Sequence, residues 1–455
     1  MNWLSKLFKN KETNRFFCTA PWVHAHSDTI GKRRLCCASE ELKDIKACTT
    51  LEDYWNSDTL KDIRKKMLKG EYNETCRSCY DAADNEVTYQ SFFNYRFKDK
   101  IKKIQKNTKR DGTYNYLPES LDYRFANTCN YKCRMCGEEN SSSWAKETQD
   151  MGHPQRFDWP RVKEFASGPL YNEFKELIVN SDLREIYWAG GEPLFWNEHW
   201  ELMNELVQSG KSKNVFLRYN TNLSKLKIGK KHFFDLLEQF KGVDIQASID
   251  GEGKLAEYIR TGIEWQKWDQ NFKETKEFAD KHSNVSLFAD VTITLPGLYG
   301  INEFISYLIK RQVKPLVKNT LFLNPGTHLS PLYLPKDLRN SLLFKVLYSL
   351  QDRISKEPKN EIYIKPFLAP INFLIESPCV SELFPDDYLY YRKYATQTQY
   401  DVAQFRKDGE EGRLSLFEIL SETPEILSWW QENEKLYLSQ KTKLKKRNPE
   451  KSLLL

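Results

Sequence analysis

The sequence predicts an α/β protein whose core is a parallel sheet or barrel, preceded by a cysteine-rich segment and followed by a less regular region. Six short apolar runs between residues 121 and 323 alternate with stretches of helical periodicity, which is the pattern of repeated strand–helix units. Polar and glycine-rich residues gather directly after these runs, where parallel α/β folds place their functional sites. Nine of the 10 cysteines lie before residue 137, so the start of the chain differs in kind from the rest.

Composition limits the class of protein. The 455 residues carry 69 Lys and Arg against 63 Asp and Glu, and this net charge of +6 is too small and dispersed to indicate nucleic-acid binding. With 12 Trp, 24 Tyr and 26 Phe, the chain is too aromatic to be disordered throughout. No apolar run approaches the roughly 20 residues of a membrane-spanning helix. The N-terminus lacks the apolar run of an export signal, so we expect a cytoplasmic protein with no membrane or nucleic-acid partner.

The individual elements are predicted from periodicity. Apolar patterns predict six strands, at Leu121–Ala126, Glu185–Ala189, Val215–Asn220, Val243–Ile249, Val285–Leu295 and Pro315–Leu323. Helical spacing predicts helices between them at Glu198–Gln208, Lys230–Phe240, Trp265–Lys281 and Ile301–Arg311. Outside this region it predicts helices at Leu51–Lys69, ended by Gly70, and at Leu338–Ser349, Ser415–Leu420 and Pro424–Leu438.

These elements divide the chain into five parts. We expect a tail at 1–14, a small cysteine-rich domain at 15–97, a basic linker at 98–120, the α/β domain at 121–325, and a mostly helical region at 326–455 that ends in a basic tail. The last region is rich in aromatic residues, and we expect it to cover the substrate.

Three cysteines form a tight group after the first predicted strand. Cys129, Cys133 and Cys136 follow the spacing C-x3-C-x2-C, so three thiolates lie on one short loop. Structural zinc sites and closed iron–sulfur sites use four protein ligands. Three ligands therefore leave one metal position open for a group that reacts. A zinc knuckle whose fourth ligand lies elsewhere in the chain is the alternative.

Further motifs follow the next strands in order. Gly190, Gly191, Glu192 and Pro193 come after the second strand, and Asn222 comes after the third. Ser248 ends the fourth strand, and Arg260 follows it twelve residues later. Taken one at a time, each is also a common loop feature, because polar and glycine residues end most strands. Four motifs in order on successive strands are much less easily explained by chance.

This ordered set resembles the radical S-adenosylmethionine (SAM) superfamily. The resemblance implies a partial (β/α)6 TIM-like barrel, in which Cys129, Cys133 and Cys136 hold a [4Fe–4S] cluster. The amino and carboxylate groups of SAM then chelate the fourth iron. Met135 precedes the last cysteine, where the family usually has an aromatic residue, and its soft thioether can lie against the adenine.

The same resemblance assigns roles to the other motifs. The sequence Gly190–Pro193 is similar to the family's GGEP segment, in which glycines allow close approach of the backbone and Glu192 accepts hydrogen bonds from the SAM ammonium. Ser248 and Arg260 resemble a pair that contacts SAM in anaerobic sulfatase-maturating enzymes, and an arginine fork suits a carboxylate. Asn222 resembles the family's TN(G) segment near the ribose or amino-acid end of SAM, although Leu223 replaces the glycine.

The dispersed cysteines resemble the twitch half of SPASM/twitch domains. Cys18 and Cys36 flank Gly31 with the spacing C-x12-G-x4-C, and Cys76-x2-Cys79 follows. The resemblance implies one auxiliary [4Fe–4S] cluster on these four thiolates, with Cys37 as the alternative to Cys36. The module precedes the barrel here, whereas twitch domains usually follow it. A zinc ribbon on the same four thiols is the rival, because zinc and iron–sulfur clusters both accept four cysteines.

The remaining cysteines and two nearby histidines are predicted to be structural. Cys48 and Cys379 are expected to be plain buried thiols. His24 and His26 lie in a strand-like stretch, and we expect one to be on the surface and the other to pack near the cluster.

The resemblance implies an enzyme with two [4Fe–4S] clusters and SAM as cofactors. It would reduce SAM to a 5′-deoxyadenosyl radical and abstract hydrogen from a peptide or protein, with the auxiliary cluster as electron acceptor or relay. An external donor of the flavodoxin or ferredoxin type would supply the electron. Thr294, Asn324 and His328 are candidate substrate contacts at the barrel mouth.

Two alternatives remain open at this point. One is a radical SAM dehydrogenase of a small molecule such as an aminocyclitol or sugar. The other belongs to a different class, a zinc-stabilised binding module, supported only by the basic stretches 98–110 and 441–451.

Overall fold

The structure is a computed structural model of the chain. It describes residues 14–81, 88–150, 156–318, 329–383 and 409–447.

Twelve strands are present in the described residues, most of them in one sheet. They are β1 (His24–Ser27), β2 (Arg33–Arg34), β3 (Ser120–Tyr123), β4 (Lys132–Cys133), β5 (Glu185–Trp188), β6 (Phe216–Thr221), β7 (Lys227–Ile228), β8 (Lys231–His232), β9 (Gly242–Ser248), β10 (Arg260–Thr261), β11 (Val285–Thr292) and β12 (Lys314–Lys318). The main sheet has eight strands in the order β12-β11-β9-β6-β5-β3-β1-β2. β4 pairs with β10, and β7 pairs with β8, in two small ribbons.

The helices of the described residues fall between and after the strands. They are α1 (Ala20–Val23), α2 (Leu51–Trp55), α3 (Asp58–Lys69), α4 (Arg77–Tyr80), α5 (Tyr89–Arg96), α6 (Ile101–Asn107), α7 (Ser142–Asp150), α8 (Trp159–Phe165), α9 (Tyr171–Asn180), α10 (Asn197–Gln208), α11 (Phe234–Leu237), α12 (Gly253–Ile259), α13 (Trp265–Lys281), α14 (Leu295–Tyr299), α15 (Ile301–Arg311), α16 (Lys336–Lys356), α17 (Glu361–Glu376), α18 (Val380–Leu383), α19 (Gly409–Leu420) and α20 (Pro424–Arg447).

The sheet confirms the expected partial barrel. From β3 to β12 the six predicted strands occur in chain order and pair in parallel, and of the last, Pro315–Leu323, residues 319–323 lie outside the described residues. Parallel crossovers are right-handed, so a sheet that grows in one direction places all its connecting helices on one face. That arrangement curls into a barrel, whereas a doubly wound sheet must reverse its strand order.

A strand from the cysteine-rich segment extends this sheet. β1 pairs in parallel with β3, in the register His24 with Ser120 and His26 with Asp122, and β2 closes that edge in antiparallel orientation. The sheet therefore crosses the boundary expected between residues 97 and 121, and the division into domains stays a prediction.

The outer face of the sheet packs against the crossover helices through aromatic rings. The rings of Tyr123 and Phe125 lie 5.7 and 5.9 Å from that of Phe174 on α9, which stacks on Trp188 at 5.6 Å. These rings are all nearly inaccessible to solvent. Burial of this kind supplies most of the driving force for folding.

The inner face is polar, and helix α5 lies across its lower part. The Arg218 guanidinium lies 4.5 Å from the ring centre of Phe92 on α5 and 4.4 Å from that of Tyr187. Arg96 of α5 pairs with the buried Glu185 at 2.9 Å. The cysteine-rich segment thus fills part of the barrel interior, at the end where the strands begin.

The C-terminal helices confirm the expected helical region. α16 and α17 pack on each other, α17 covers the edge strand β12, and α19 packs on α14. A Cβ on Gly412, in the first turn of α19, would stand 2.5 Å from the guanidinium of Arg134. The C-terminal region therefore touches the loop that carries the three close cysteines. No helix among the described residues is long and apolar enough to cross a membrane.

Three local expectations were wrong. The stretch Lys230–Phe240 contains β8, which pairs with β7 across the turn at Gly229 (φ +58°), and the four-residue helix α11. Leu51–Lys69 is two helices, since Ser57 caps a second helix by accepting from Leu60 N at 3.3 Å. His24 and His26 are both buried, because residues two apart on a strand share a face and α5 covers that face. The end of the second helix at Gly70 is confirmed by its left-handed φ of +74°.

Candidate active site

The loop after β3 holds Cys129, Cys133 and Cys136 in a defined shape. We call residues 124–137 the cysteine loop. Cys129 N donates to Ser142 Oγ at 3.2 Å, and Ser143 Oγ donates to Cys129 O at 2.7 Å, so the first turn of α7 anchors one end. Cys136 N donates to Cys133 O at 2.9 Å, which closes a tight turn around the last two cysteines. Backbone hydrogen bonds therefore set the loop shape.

The ribbon β4–β10 brings Arg260 to the cysteine loop. Arg260 pairs with Cys133 in the antiparallel register, and Arg134 N donates to Ile259 O at 2.8 Å. Arg260 Nη1 donates to Cys133 Sγ at 3.9 Å. Residues 127 apart in the sequence thus meet at one thiol.

The GGEP segment packs directly against the cysteine loop. Gly191 has φ +49°, and a Cβ there would stand 2.7 Å from Thr128 O. Glu192 N donates to the same carbonyl oxygen at 2.7 Å. Glycine at position 191 therefore allows the GGEP backbone to approach the backbone of Thr128, next to Cys129.

Glu192 is buried and organises the end of the neighbouring strand. Its Oε1 accepts from Leu194 N at 3.1 Å and from Thr221 Oγ1 at 2.8 Å, and its Oε2 accepts from Asn222 N at 2.5 Å. Burial raises the pKa of Glu192 to about 7, although these three donors act in the opposite direction. The carboxylate fixes the position of Asn222 relative to the GGEP turn.

Asn222 links β6 to the first thiol. Its Nδ2 donates to Cys129 Sγ at 3.6 Å and to Asn130 Oδ1 at 2.9 Å, and Trp268 Nε1 donates to its carbonyl oxygen at 2.9 Å. Leu223, which stands where the family has glycine, adopts φ +54°. Glycine adopts that conformation without strain, whereas a leucine adopts it only at a cost in energy.

Ser248, Asp250 and Arg260 lie at the end of β9. Arg260 Nε pairs with Asp250 Oδ2 at 2.7 Å, and Asp250 Oδ1 also accepts from Thr292 N at 2.7 Å. Ser248 and Asp250 are buried, and the Arg260 side chain is nearly so. The Arg260 guanidinium therefore already forms an ion pair with a carboxylate of the chain, that of Asp250.

The three close thiols suit a group of positively charged, soft metal ions. Burial raises the pKa of Cys129 to about 12 and also raises that of Cys136, and repulsion from neighbouring thiolates adds to both shifts. Thiolates in this position need a compensating positive charge. The donor set fits a thiolate-bound iron–sulfur cluster with one position left for another ligand, and Met135 lies half-buried between two of the thiols in sequence.

The four cysteines of the N-terminal segment line one small cavity. Cys18, Cys36, Cys76 and Cys79 surround it together with Ala20, Leu35, Met67 and Tyr80, and no charged residue lines it. Burial raises the pKa of all four thiols, that of Cys76 to about 12. Four soft donors in an apolar shell fit a fully protein-bound iron–sulfur cluster. Among the described residues, no three Cys, His, Asp or Glu side chains are grouped closely enough to hold a single metal ion.

Cys37 faces a different direction from its neighbour Cys36. Cys37 does not line the cavity of the four thiols. It is half-buried, and Asp122, Arg124 and Tyr89 lie near its thiol, on the inner face of the sheet. The geometry therefore favours Cys36 over Cys37 as a partner of Cys18, Cys76 and Cys79.

The structure brings most of the predicted site residues together, with a few exceptions. Thr294 is fully buried and caps α14 by accepting from Gly297 N at 3.1 Å, so it is placed as a structural residue. Asn324 and His328 lie outside the described residues. Cys379 is buried as expected, whereas Cys48 is half-buried. Sequence analysis missed Asp250 as the partner of Arg260; its position two residues after Ser248 was the available signal.

Comparison with known proteins identifies the class. Residues 123–304 match the model of the radical SAM superfamily, so this part of the chain is a radical SAM domain, for which the family implies SAM and a [4Fe–4S] cluster. No curated protein sequence matches the chain.

Solved structures of SuiB from Streptococcus suis are distantly similar. The SuiB structure bound to S-adenosylmethionine has a TM-score of 0.32 and 13% identity, and covers 68% of this chain and 61% of SuiB. The SuiB structure bound to the precursor peptide SuiA has a TM-score of 0.34 and 14% identity, and covers 65% of this chain and 63% of SuiB. The chain thus spans less than two thirds of SuiB.

Proposed function

We propose that this radical SAM protein abstracts a hydrogen atom from a peptide or protein, and that one auxiliary [4Fe–4S] cluster accepts or relays the electron that follows. When bound, the cluster and SAM supply the electron transfer that breaks the sulfur–C5′ bond and yields a 5′-deoxyadenosyl radical. Hydrogen bonds from Asn222 to Cys129 and from Arg260 to Cys133 carry the proposal, because they connect two separate motifs to the cysteine loop. An external donor of the flavodoxin or ferredoxin type, in the cytoplasm, would supply the electron that reduces the cluster.

The chain's own residues would orient SAM in the following way. Glu192 holds Asn222 through its backbone nitrogen, and its Oε2, which accepts only this one hydrogen bond among the described residues, retains a lone pair for an ammonium group. Gly190, Gly191 and Pro193 shape the turn beside it. Arg260 is shared between Asp250 and any carboxylate of the ligand, and Ser248 lies at the end of the same strand. Met135 would face the adenine from the cysteine loop.

The peptide or protein substrate is supported by the resemblance of the N-terminal segment to SPASM/twitch modules, whose members mostly modify such substrates. The four thiols around one cavity support the auxiliary cluster itself.

A small polar molecule is the second candidate substrate, and the inner face of the sheet favours it. This face carries charged side chains, including Asp122, Arg218 and Asp290, and α5 closes it at one end. A surface lined with charged groups of both signs suits a small hydroxylated or amino-bearing ligand. Incubation of the reconstituted enzyme with a peptide library and with aminocyclitols would separate the two, since only the true substrate raises 5′-deoxyadenosine formation.

Anaerobic reconstitution tests the chemistry. The brown protein should bind about seven to eight irons, as two four-iron clusters require. Dithionite and SAM should then yield 5′-deoxyadenosine. The triple variant Cys129→Ala/Cys133→Ala/Cys136→Ala should lose about half of the iron and all of this product. Cys379→Ala, a buried thiol away from both groups, is the control. A colourless zinc protein under these conditions would refute the proposal and favour the zinc-stabilised module.

Adjacent cysteines provide a matched test of the auxiliary site. Cys36→Ala should lower the iron content by up to about four atoms per chain. Cys37→Ala should keep the full iron content, because its thiol faces the sheet and not the four-thiol cavity. The reverse result would assign Cys37 in place of Cys36.

A further inference from the structure

An open groove separates the cysteine-rich segment from the barrel on the outer surface. It has a volume of about 620 Å³. It is lined by α2 with its flanking residues, by α9 and by the stretch 114–117, and buried residues from all three form its floor. None of the site residues described above lines it.

The charge of this groove is opposite to that of the whole chain. Its charged lining residues are Glu52, Glu173 and Glu176, and no Lys, Arg or His lines it, although the net charge of the chain is +6. Glu173 is engaged, because it accepts from Arg33 and from Leu51 N. Glu52 and Glu176 are exposed and pair with no cation among the described residues. Two uncompensated carboxylates therefore line the groove, one on α2 and one on α9.

The lips of the groove also carry amide side chains. Asn172, Glu176 and Asn180 follow one another at intervals of four residues, so they form one row along α9. This row spans about 12 Å, the length of about four residues of extended chain. An asparagine amide both donates and accepts, as the backbone of an extended peptide requires. Asn115 adds a third such amide on the opposite lip.

The floor is apolar, aromatic and already fixed. Trp55, Tyr114 and Leu177 are only 6%, 4% and 2% exposed. Trp55 Nε1 donates to Tyr116 O at 2.8 Å, which ties the floor to the lip. Tyr116 is 40% exposed, and the Lys103 ammonium already lies 4.0 Å from its ring centre. The Arg64 guanidinium already lies 4.8 and 5.8 Å from the ring centres of Trp55 and Tyr114, so the carboxylates, and not these rings, supply the attraction for a cationic side chain.

We infer that this groove binds a cationic, extended segment of the peptide substrate, about four residues long. The inference rests on the proposed peptide substrate and adds the chemistry by which it is recognised. α9 precedes β5 in a parallel strand–helix–strand unit. Its first residues therefore lie near the carboxyl ends of the strands, which is the end of the sheet that carries the cysteine loop. A segment bound along α9 would therefore lead the chain toward the candidate active site.

Fluorescence anisotropy on the reconstituted protein tests this inference. The probe is a fluorescein-labelled heptapeptide of alternating Lys and Tyr or Leu, and its counterpart has Glu in place of Lys. The cationic probe should bind and the acidic one should not. Glu52→Lys/Glu176→Lys should weaken binding at least about fivefold, as reversal of two exposed charges implies. Glu277→Lys/Glu432→Lys makes the same charge change on exposed positions outside the groove and should leave affinity within about twofold.

The outcomes separate the groove from the proposed chemistry. Equal binding of the two probes, or equal losses in the two double variants, would overturn the inference, because net charge alone would then explain binding. Formation of 5′-deoxyadenosine without substrate is measured on the same preparations and should be unchanged in the groove variant. If the two probes bind equally while SAM is still cleaved, only the inference about the groove is refuted. If the cationic probe binds as expected but SAM is not cleaved, only the proposed function is refuted.

Discussion

Gly191 lets the GGEP segment pack against the cysteine loop, because glycine has no side chain to fill the space beside the loop backbone. The turn that carries it lies against Thr128, one residue before the first thiol of the cysteine loop. A side chain at this position must push on a carbonyl oxygen, and neither backbone segment can rotate away as a flexible side chain would. The residue therefore matters for the geometry of the loop even without touching any cofactor.

We predict that Gly191→Ala destabilises the protein through this contact. The matched control is Gly229→Ala, since Gly229 has φ +58°, close to the +49° of Gly191, but nothing lies within 4 Å of its Cβ position. The control should lose about 1 kcal/mol of unfolding free energy for the left-handed backbone. Gly191→Ala should lose roughly 2 kcal/mol more for the steric conflict. Urea denaturation measures both, and equal losses would show that the loop adapts freely.

A second residue-scale prediction concerns acid. His199 is fully buried between Trp188 and Trp200, and burial lowers its pKa to about 3 from 6.5. Below pH 6.5 the unfolded chain binds a proton that the folded chain excludes, so stability falls as the pH falls. From pH 7.5 to 5.0 this amounts to about 2 kcal/mol.

The comparison is between His199→Gln and Tyr219→Phe. The first removes the titrating ring, so its stability should decrease about 2 kcal/mol less than that of the natural protein over this pH range. The second removes the same hydrogen bond, which joins His199 Nε2 to Tyr219 Oη at 2.9 Å, but keeps the imidazole and hence the full pH dependence. A His199→Gln variant with undiminished acid sensitivity would contradict the assignment.

At the scale of elements, helix α5 is the least expected feature. It belongs to the cysteine-rich segment, yet its aromatic residues pack on the inner face of the barrel. We predict that Phe92→Ala loosens it, because the variant removes the ring that covers Arg218. Backbone amides of 89–96 should exchange hydrogen about tenfold faster, as a local loss of about 1.4 kcal/mol implies.

Tyr95→Ala provides the control for α5. Its ring is 37% exposed, so truncation should leave amide exchange in the helix nearly unchanged. Faster exchange across the whole sheet in Phe92→Ala would instead show that α5 supports the barrel globally. Mass spectrometry of the exchanged peptides distinguishes these results.

The elements also show how far the sequence alone leads. Helices Trp265–Lys281 and Ile301–Arg311 were predicted to the residue, because long amphipathic periods are a strong local signal. β1 was missed as part of the sheet, since four residues are too short to show a period and its partner β3 lies 96 residues away. The pairing of Arg260 with Asp250 was missed for a related reason: spacing suggests which residues share a turn, but not which of them neutralise each other.

At the scale of the whole molecule, the cysteine-rich segment and the barrel share a sheet and a single core cluster. We predict that the full chain unfolds in one calorimetric transition, with equal calorimetric and van't Hoff enthalpies. The fragment 98–455 lacks β1 and should be largely insoluble, because β3 then presents an open edge. Two well-separated transitions, or a soluble and folded fragment, would show that the two parts are independent.

The parallel pairing of β1 with β3 has a mechanical consequence. Of the four N-terminal thiols, Cys18 precedes β1 and the others follow β2, whereas the three close thiols follow β3, the strand that pairs with β1. Adjacent strands stay about 4.8 Å apart, and sliding or hinging them would break the ladder between them. The distance between the two thiol groups is therefore set by the pairing of these strands, and binding of a ligand should not change it.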